Sequence, residues 1–400
     1  MLDFLKLDYN SNIKKFYIES YLNALWFPGP VWILYFLAAG LNLEQVGLLL
    51  GVLFITQFIF EIPSSIWADR YSRRNVLILG AIFGFIANVI LLLFDNFLAF
   101  ILAVIFMGVS ESFKSGTDSA MVYDTLINLG REKDYSKIRS KIKGIFYLGR
   151  ATVSVLGVMA YAVGHRLPFL LAAIVDVAAI FVLLLIKEPV YHKSSGVHLG
   201  QIGQGLKYLM ANRGIWLIVL VFSLMLAASN VLFNNYQPVL DLAGVPILYF
   251  GLVYLGVNLF SFSGTRSYVR FERVLSPNRL LVCFLLVTIL VSFAFAVGNI
   301  FLVVPAIMLL SFSFGMHGVY IEGKINQVVP SSHRATTLSI QGLIEMVMVS
   351  ILIMAAGKIA NGYGMAPAML FNGAIVILAL AGFLAAKVWG AGKGKPESVF

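Results

Sequence analysis

A handful of ionisable and amide side chains stand inside long apolar stretches of this 400-residue chain, and their spacing says which of them share a surface. Glu19 and Asn23 are four apart, as are Asn230 and Asn234, and Gln341 and Glu345; Glu111, Lys114 and Asp118 follow at intervals of three and four. Residues so spaced lie on one face of an α-helix. Glu61, Arg150, Asp176, His317 and Glu322 stand in other apolar stretches. Such groups are costly inside a membrane span, and they face a cavity, pair with each other or line a path for ions or substrate. A buried carboxylate that gains or loses a neighbouring cation can pick up and release a proton. Glu345 has no cationic residue within one turn of its helix and is the candidate proton carrier, with Glu61 next. Glu111–Lys114 and Glu19–Arg150 are candidate conformation-dependent bridges; Glu19 and Arg150 both fall roughly 10 Å from one membrane face at 1.5 Å per residue. Glu19, Asn23, Glu111, Lys114, Asn230, Asn234, His317 and Glu345 make up the candidate substrate or proton pathway.

Each has a plainer reading. Glu111 and Lys114 can neutralise each other so that the helix inserts. Glu19–Arg150 can be a structural bridge, and Asp176 and His317 can be satisfied core residues. The two asparagines can hydrogen-bond across helices.

The elements that must position these groups are membrane helices. The chain is 60% hydrophobic and only 12% charged, and its mean hydropathy is +0.90. Soluble domains are closer to half apolar and a quarter charged. About twelve apolar runs are each long enough to cross a hydrocarbon layer of roughly 30 Å as a helix. The first, from Phe16 to Ala39 after a basic tail, is interrupted by Pro28-Gly29-Pro30. The fourth is expected at Phe97–Met121, with a basic segment, Val122–Lys143, along the membrane face before a fifth span at Gly144–Gly164. A polar stretch, Lys187–Arg213, with an interfacial helix at Leu199–Met210, divides residues 1–186 from residues 214–400. The polar tail after Lys387 is expected to be disordered. The fold class is an all-α polytopic membrane protein with two six-helix halves, as in transporters built from repeats.

The net charge of +10 would suggest nucleic acid in a soluble domain. Here most Lys and Arg fall on one side of the membrane, the exceptions being Arg166 and Lys358 in outer loops and Lys114 and Arg150 within helices. That asymmetry places both termini in the cytoplasm and the protein in a plasma (inner) membrane. The single Cys283 excludes an intramolecular disulfide and a cysteine metal cluster. No phosphate loop, zinc-spaced histidine pair or nucleophile elbow occurs, so no enzyme activity, cofactor or metal is expected. A channel is disfavoured by the lack of a ring of like charges or a filter-like loop.

Between the second and third spans lies Glu61-Ile62-Pro63-Ser64-Ser65-Ile66-Trp67-Ala68-Asp69-Arg70-Tyr71-Ser72-Arg73-Arg74. Its guanidinium groups can bind carboxylates on neighbouring helix ends and so hold two bundles in one conformation; the plainer reading is a topology signal. The stretch resembles the signature loop of the major facilitator superfamily, Gly-x-x-x-Asp-Arg-x-Gly-Arg-Arg. Asp69, Arg70, Arg73 and Arg74 match, while Ser65 and Ser72 stand at the two glycines. Glu61-x-Pro63 resembles the drug-efflux branches of that superfamily. In the family an acidic residue at the inner end of the fourth span pairs with the loop arginines, a part that Asp118 or Asp124 would play. Glu61, Arg150 and these loop residues are thus the candidate gating set. Two family marks are missing. Val104 stands where many members carry an arginine four residues before a glycine, here Gly108, and the fifth span has no Gly-Pro pair among Gly144, Gly149, Gly157 and Gly164. The second copy of the loop falls at Arg266-Ser267-Tyr268-Val269-Arg270-Phe271-Glu272-Arg273, without the Asp-Arg pair.

The resemblance covers nearly the whole chain and implies secondary transport by alternating access, with the site between the halves near the midplane. The first choice is proton-coupled export, by antiport, of amphiphilic small molecules by a monomer. The alternatives are transport of a specific polar metabolite or siderophore-like compound in either direction, and a non-transporting receptor or scaffold.

Overall fold

The computed structural model describes residues 7–190 and 199–391. The rest of the expected linker and most of the tail after Lys387 lie outside the described residues. The described residues are mostly helical, with no strand among them. The helices are α1 (Tyr9–Ala24), α2 (Trp32–Ala38), α3 (Leu43–Arg70), α4 (Arg73–Leu93), α5 (Phe97–Lys114), α6 (Thr117–Asn128), α7 (Tyr135–Val163) and α8 (Leu167–Leu184). They continue as α9 (Leu199–Ala211), α10 (Arg213–Leu242), α11 (Leu248–Val274), α12 (Pro277–Val297), α13 (Ile300–Val328), α14 (Ser331–Tyr363) and α15 (Met365–Ala391). Eleven helices among the described residues are long and apolar enough to cross a membrane. α1 and α2 are the two pieces into which the Pro28-Gly29-Pro30 break divides the first apolar run.

Local chemistry sets several ends differently from the expected boundaries. The basic tail does not run to Lys15. Asp8 caps α1, its Oδ1 accepting from the Ser11 amide at 2.7 Å, a bond that holds the Asp8 carboxyl below the usual carboxylate range. The fourth span stops at Lys114, where Ser115 and a left-handed Gly116 (φ +69°) break it, and α6 restarts at Thr117. A backbone angle of that kind is cheap only for glycine. The fifth helix begins at Tyr135, nine residues before the expected Gly144, so Arg139 and Lys143 ride on it. Arg266–Arg273 is no loop: α11 runs through it to Val274, and Pro277 opens α12 after Leu275 and Ser276.

The chain forms two compact units: Met1–Ala39, Val52–Val197 and Ile247–Leu255 in the first, and Gly40–Gly51, His198–Pro246 and Gly256–Phe400 in the second. In the first, α4 packs against α5 and α8, and α1 against α7 and α8. One buried cluster there holds Phe16, Leu77, Met121, Leu126, Ile142 and Ile186. In the second, α12 packs against α13 and α15, and α10 against α14. The expected interfacial helix is α9, and Leu209 on it is fully buried in the core with Phe222, Phe284 and Tyr320. Gly205 allows that seat, since a Cβ there would lie 2.3 Å from Thr336 Cγ2 on α14.

Candidate functional site

In the first unit the α3–α4 junction is the most densely bonded polar region. Ser72 has extended backbone and its Oγ accepts from the Asn75 amide at 3.1 Å, an N-cap for α4. A serine at the family's glycine position thus does local work. Arg73 forms an ion pair with Asp124 on α6, the two side chains only 14% and 12% exposed, and lies 3.9 Å from Asp69. Of the two acids expected as partners, Asp124 is the one that meets the arginine; Asp118 pairs with Arg139 at 2.8 Å. Arg70 is exposed and makes no ion pair among the described residues. Arg74 donates to the Ile186 carbonyl at 3.2 Å.

Sequence reasoning missed Glu188. It accepts from Ser72 Oγ (2.7 Å) and from the Arg73 and Arg74 amides (2.9 and 3.0 Å), a carboxylate on the first turn of α4. A helix N-terminus offers unsatisfied N–H groups and a positive dipole end, and both favour an anion. The surrounding residues 185–190 are held as a strap. Asn12 exchanges two hydrogen bonds with the Lys187 backbone (2.8 and 2.9 Å), Asn128 does the same with Val190 (2.7 and 3.2 Å), and Lys15 donates to the Leu185 carbonyl at 2.6 Å. The available signal was the lone acid following the sixth apolar run.

Beside the strap, a cavity of about 200 Å³ is lined by Glu19, Ser20, Asn23, Asp118, Arg139 and Lys143 among apolar side chains. Two carboxylates and two cations face one small space there, a set that can hold water or the polar groups of a solute. Arg139 and Lys143 were missed because the segment before Gly144 was expected to lie along the membrane face; their four-residue spacing is the signal. The expected Glu19–Arg150 bridge is not formed. Arg150 donates instead to the Tyr254 hydroxyl and lies over the Phe146 ring, 5.2 Å from its centroid. Neither is Glu111 paired with Lys114: Glu111 is exposed, and no ion pair joins the two among the described residues. Asp176 accepts from Asn88 Nδ2 at 2.7 Å. Glu61 accepts from Ser115 Oγ at 3.0 Å through one oxygen; the other has no partner among the described residues.

In the second unit, Asn230 and Asn234 donate along their own helix, to the Leu226 carbonyl (3.0 Å) and the Asn230 carbonyl (2.9 Å), rather than across helices. His317 is buried among Phe284, Phe314 and Phe222, with ring centroids 4.7, 5.4 and 5.9 Å away, and its Nε2 is 3.2 Å from Ser313 Oγ. Glu322 is exposed. Glu345 makes no ion pair among the described residues; Gln341 donates to it at 3.2 Å. Lys324, counted among the cations on the cytoplasmic side, is only 5% exposed. It shares a helix face with His317 and Tyr320, a spacing of three and four visible in the sequence.

The profile of the Major Facilitator Superfamily matches residues 20–353. The uncharacterized MFS-type transporter YxaM of Bacillus subtilis (strain 168) is 23% identical over 321 residues, 78% of this chain and 79% of that protein. The quinolone resistance protein NorA of Staphylococcus aureus (strain MSSA476) is 23% identical over 215 residues, 52% of this chain and 53% of that protein. The crystal structure of the nucleoside transporter NupG superposes with a TM-score of 0.77 at 16% identity, covering 93% of this chain and 98% of that one.

Proposed function

The chain belongs to the major facilitator superfamily, and on that premise we propose that it exports amphiphilic small molecules in exchange for protons. It is a multi-pass secondary transporter of that superfamily and not an enzyme. The observation that carries the coupling is Glu345: a carboxylate within a span, hydrogen-bonded to Gln341 and joined to no cation among the described residues. A carboxylate so placed can exchange a proton as its surroundings change between conformations. Likeness to NorA, a quinolone resistance protein, supports the export direction. The halves act as residues 1–186 and 214–400 about the linker 187–213, as a monomer in a plasma membrane with both termini cytoplasmic. The pathway set from Glu19 to Glu345 and the gating set of Glu61, Asp69–Arg74 and Asp124 are assigned the roles expected of them, except that Asp118 pairs with Arg139, Glu111 and Lys114 form no bridge among the described residues, and Arg150 is reassigned below.

The test is solute-dependent proton movement in proteoliposomes, screened across chemical classes. Glu345→Gln mimics the protonated acid; it should abolish gradient-driven movement while keeping solute binding or exchange. If that variant still moves solute against its gradient under a pH difference, Glu345 is not the carrier and Glu61 takes its place. Orientation has its own check. A cysteine introduced within 187–213 should resist an impermeant thiol reagent in intact cells, and ready labelling would reverse the topology.

A second reading has one observation in its favour. The cavity around Glu19, Asn23, Asp118 and Arg139 is polar enough to take a hydrophilic metabolite. Hydrophilic solutes alone giving proton movement in the same screen would select it.

A further inference from the structure

Arg150 stands near the middle of α7, inside a span. Its guanidinium carries a delocalised positive charge over a planar fork of donors. Yet the ion pairs of the described residues engage Arg73, Arg131, Arg139 and Arg166, and none engages Arg150. Glu19, the nearest acid by sequence reckoning, faces the cavity it shares with Asp118 and Arg139 instead. Arg150 has two neighbours of another kind. Its guanidinium donates to the Tyr254 hydroxyl, and the Phe146 ring lies against it at 5.2 Å. A charge left uncompensated in a low-dielectric layer is costly, and such residues mark substrate and ion pathways.

The surroundings are built to hold those neighbours in place. Gly29, in the break between α1 and α2, sits so close to Tyr254 that a Cβ there would lie 2.6 Å from the hydroxyl oxygen. One turn before Tyr254 on α11, a Cβ on Gly251 would lie 2.1 Å from the Ser154 carbonyl oxygen of α7. The first turns of α11, which belong to the same unit as α7, thereby meet α7 at van der Waals contact near Arg150. Tyr254 takes one guanidinium N–H, and the other N–H groups have no partner among the described residues. What remains is part of a planar fork of donors with an aromatic face beside it, the arrangement that takes a carboxylate or phosphate at two points.

We propose that Arg150, Tyr254 and Phe146 seat the acidic head of the transported solute, so that the amphiphiles carried are organic anions with a flat apolar body rather than organic cations. The inference rests on the transporter reading above and narrows it to a substrate class. The carboxylate or phosphate supplies the charge that Arg150 lacks, and the apolar body lies along the Phe146 side.

The test uses the purified full-length protein with benzoate and phenyl phosphate as probes, and benzamide and benzylammonium as controls. In the wild type both anions should raise the melting temperature saturably and both controls should not; the stronger anion identifies the head group. Arg150→Gln should weaken the anion effect about tenfold while leaving the melting temperature of the ligand-free protein unchanged or higher, because it removes an uncompensated charge. Arg150→Lys, which keeps the charge but loses the fork, should fall between. Tyr254→Phe should weaken it about threefold, and these two variants carry the test if the Gln variant does not fold. Several outcomes overturn the proposal: no response to either anion, an equal response to benzamide, unchanged anion binding in the variants, or a ligand-free Arg150→Gln that melts like a protein with a broken ion pair. The two readings fail separately. Solute-dependent proton movement that survives in Arg150→Gln sinks the anion seat and leaves the transporter. Benzoate binding through Arg150 without movement of any solute or proton sinks transport and leaves the seat.

Discussion

The α3–α4 junction and the α11–α12 junction each join two membrane-length helices and are both rich in arginine, but only the first is built as a polar network. At α3–α4, Ser72 caps the helix, Arg73 meets Asp124, and Glu188 takes two backbone amides and a hydroxyl. At α11–α12, Ser276 makes no side-chain cap and Arg270 and Arg273 are exposed. Arg266 rests on its own helix, over Phe262, and Glu272 accepts from Tyr268 one turn away at 3.2 Å. Arginine content therefore does not make a latch. What separates the junctions is a pair of carboxylates, Asp124 and Glu188, delivered from other parts of the fold. Without them the same cations are solvated and contribute little beyond the charge asymmetry that sets topology.

Breaking the stronger junction at its centre should have the largest effect. Asp124→Asn takes from Arg73 its shortest ion-pair partner, with Asp69 still 3.9 Å away, and Arg73→Gln takes the cation from Asp124; losing one partner of a fully buried pair costs about 3–5 kcal/mol, an upper bound for these slightly exposed side chains. Both variants should melt several degrees lower and transport about tenfold slower or worse, read by thermal denaturation and proteoliposome flux. If the double variant Asp124→Asn with Arg73→Gln recovers much of the stability but none of the flux, the pair has a role in the transport cycle as well as in folding. Recovery of both would make it structural only.

Glu188→Gln comes next. It keeps the shape but removes the anion from the first turn of α4, worth about 0.5–2 kcal/mol at a favourable helix N-terminus. The strap should loosen, which hydrogen exchange at the Lys187 and Val190 amides can follow. Unchanged exchange at those amides would show that Asn12 and Asn128 hold the strap without Glu188.

These assignments also show where sequence and structure part. The all-helical membrane fold and the Pro28–Pro30 break were legible, because hydropathy and proline act locally. The α3–α4 loop was legible because its residues are contiguous. Asp124 appeared only as one of two options, since choosing between it and Asp118 depends on the turn that Gly116 introduces between α5 and α6. Glu188 was invisible because its partners are more than a hundred positions away. The Glu19–Arg150 bridge failed for a related reason. Matching depth in the bilayer does not fix azimuth, and Arg150 faces Tyr254 on α11 while Glu19 faces α6 and α7. Lys324 was counted only as one of the cations on the cytoplasmic side, and a charge count carries no information on burial; the residue is 5% exposed, one turn from the buried Tyr320.

Asp69→Asn should do less than Asp124→Asn, although Asp69 is part of the signature and Asp124 is not. Asp69 lies 3.9 Å from Arg73 and is 22% exposed, at the outer limit of an ion pair. A contact of that length in partial solvent contributes about 0–1 kcal/mol. Transport in Asp69→Asn should slow measurably with the melting temperature nearly unchanged. A loss as deep as that of Asp124→Asn would mean that Asp69 takes over Arg73 in another conformation.

The smallest effect is expected at α11–α12, and it tests the comparison from its weak side. Arg270 is exposed with no ion pair among the described residues, and Ser276 makes no capping bond, so neither Arg270→Gln nor Ser276→Ala removes an interaction. Surface substitutions away from caps, pairs and cores change stability by about 0.5 kcal/mol or less. Flux and melting temperature should therefore match the wild type for each single variant and for the two combined. The outcome that would undo the argument is a deep loss of flux in Arg270→Gln with the protein still folded. Arg270 would then meet a carboxylate in a state other than this one, and the two junctions would be latches that alternate. If both variants are silent, the latch belongs to the first half alone, and the charges of the second half serve only to orient the chain.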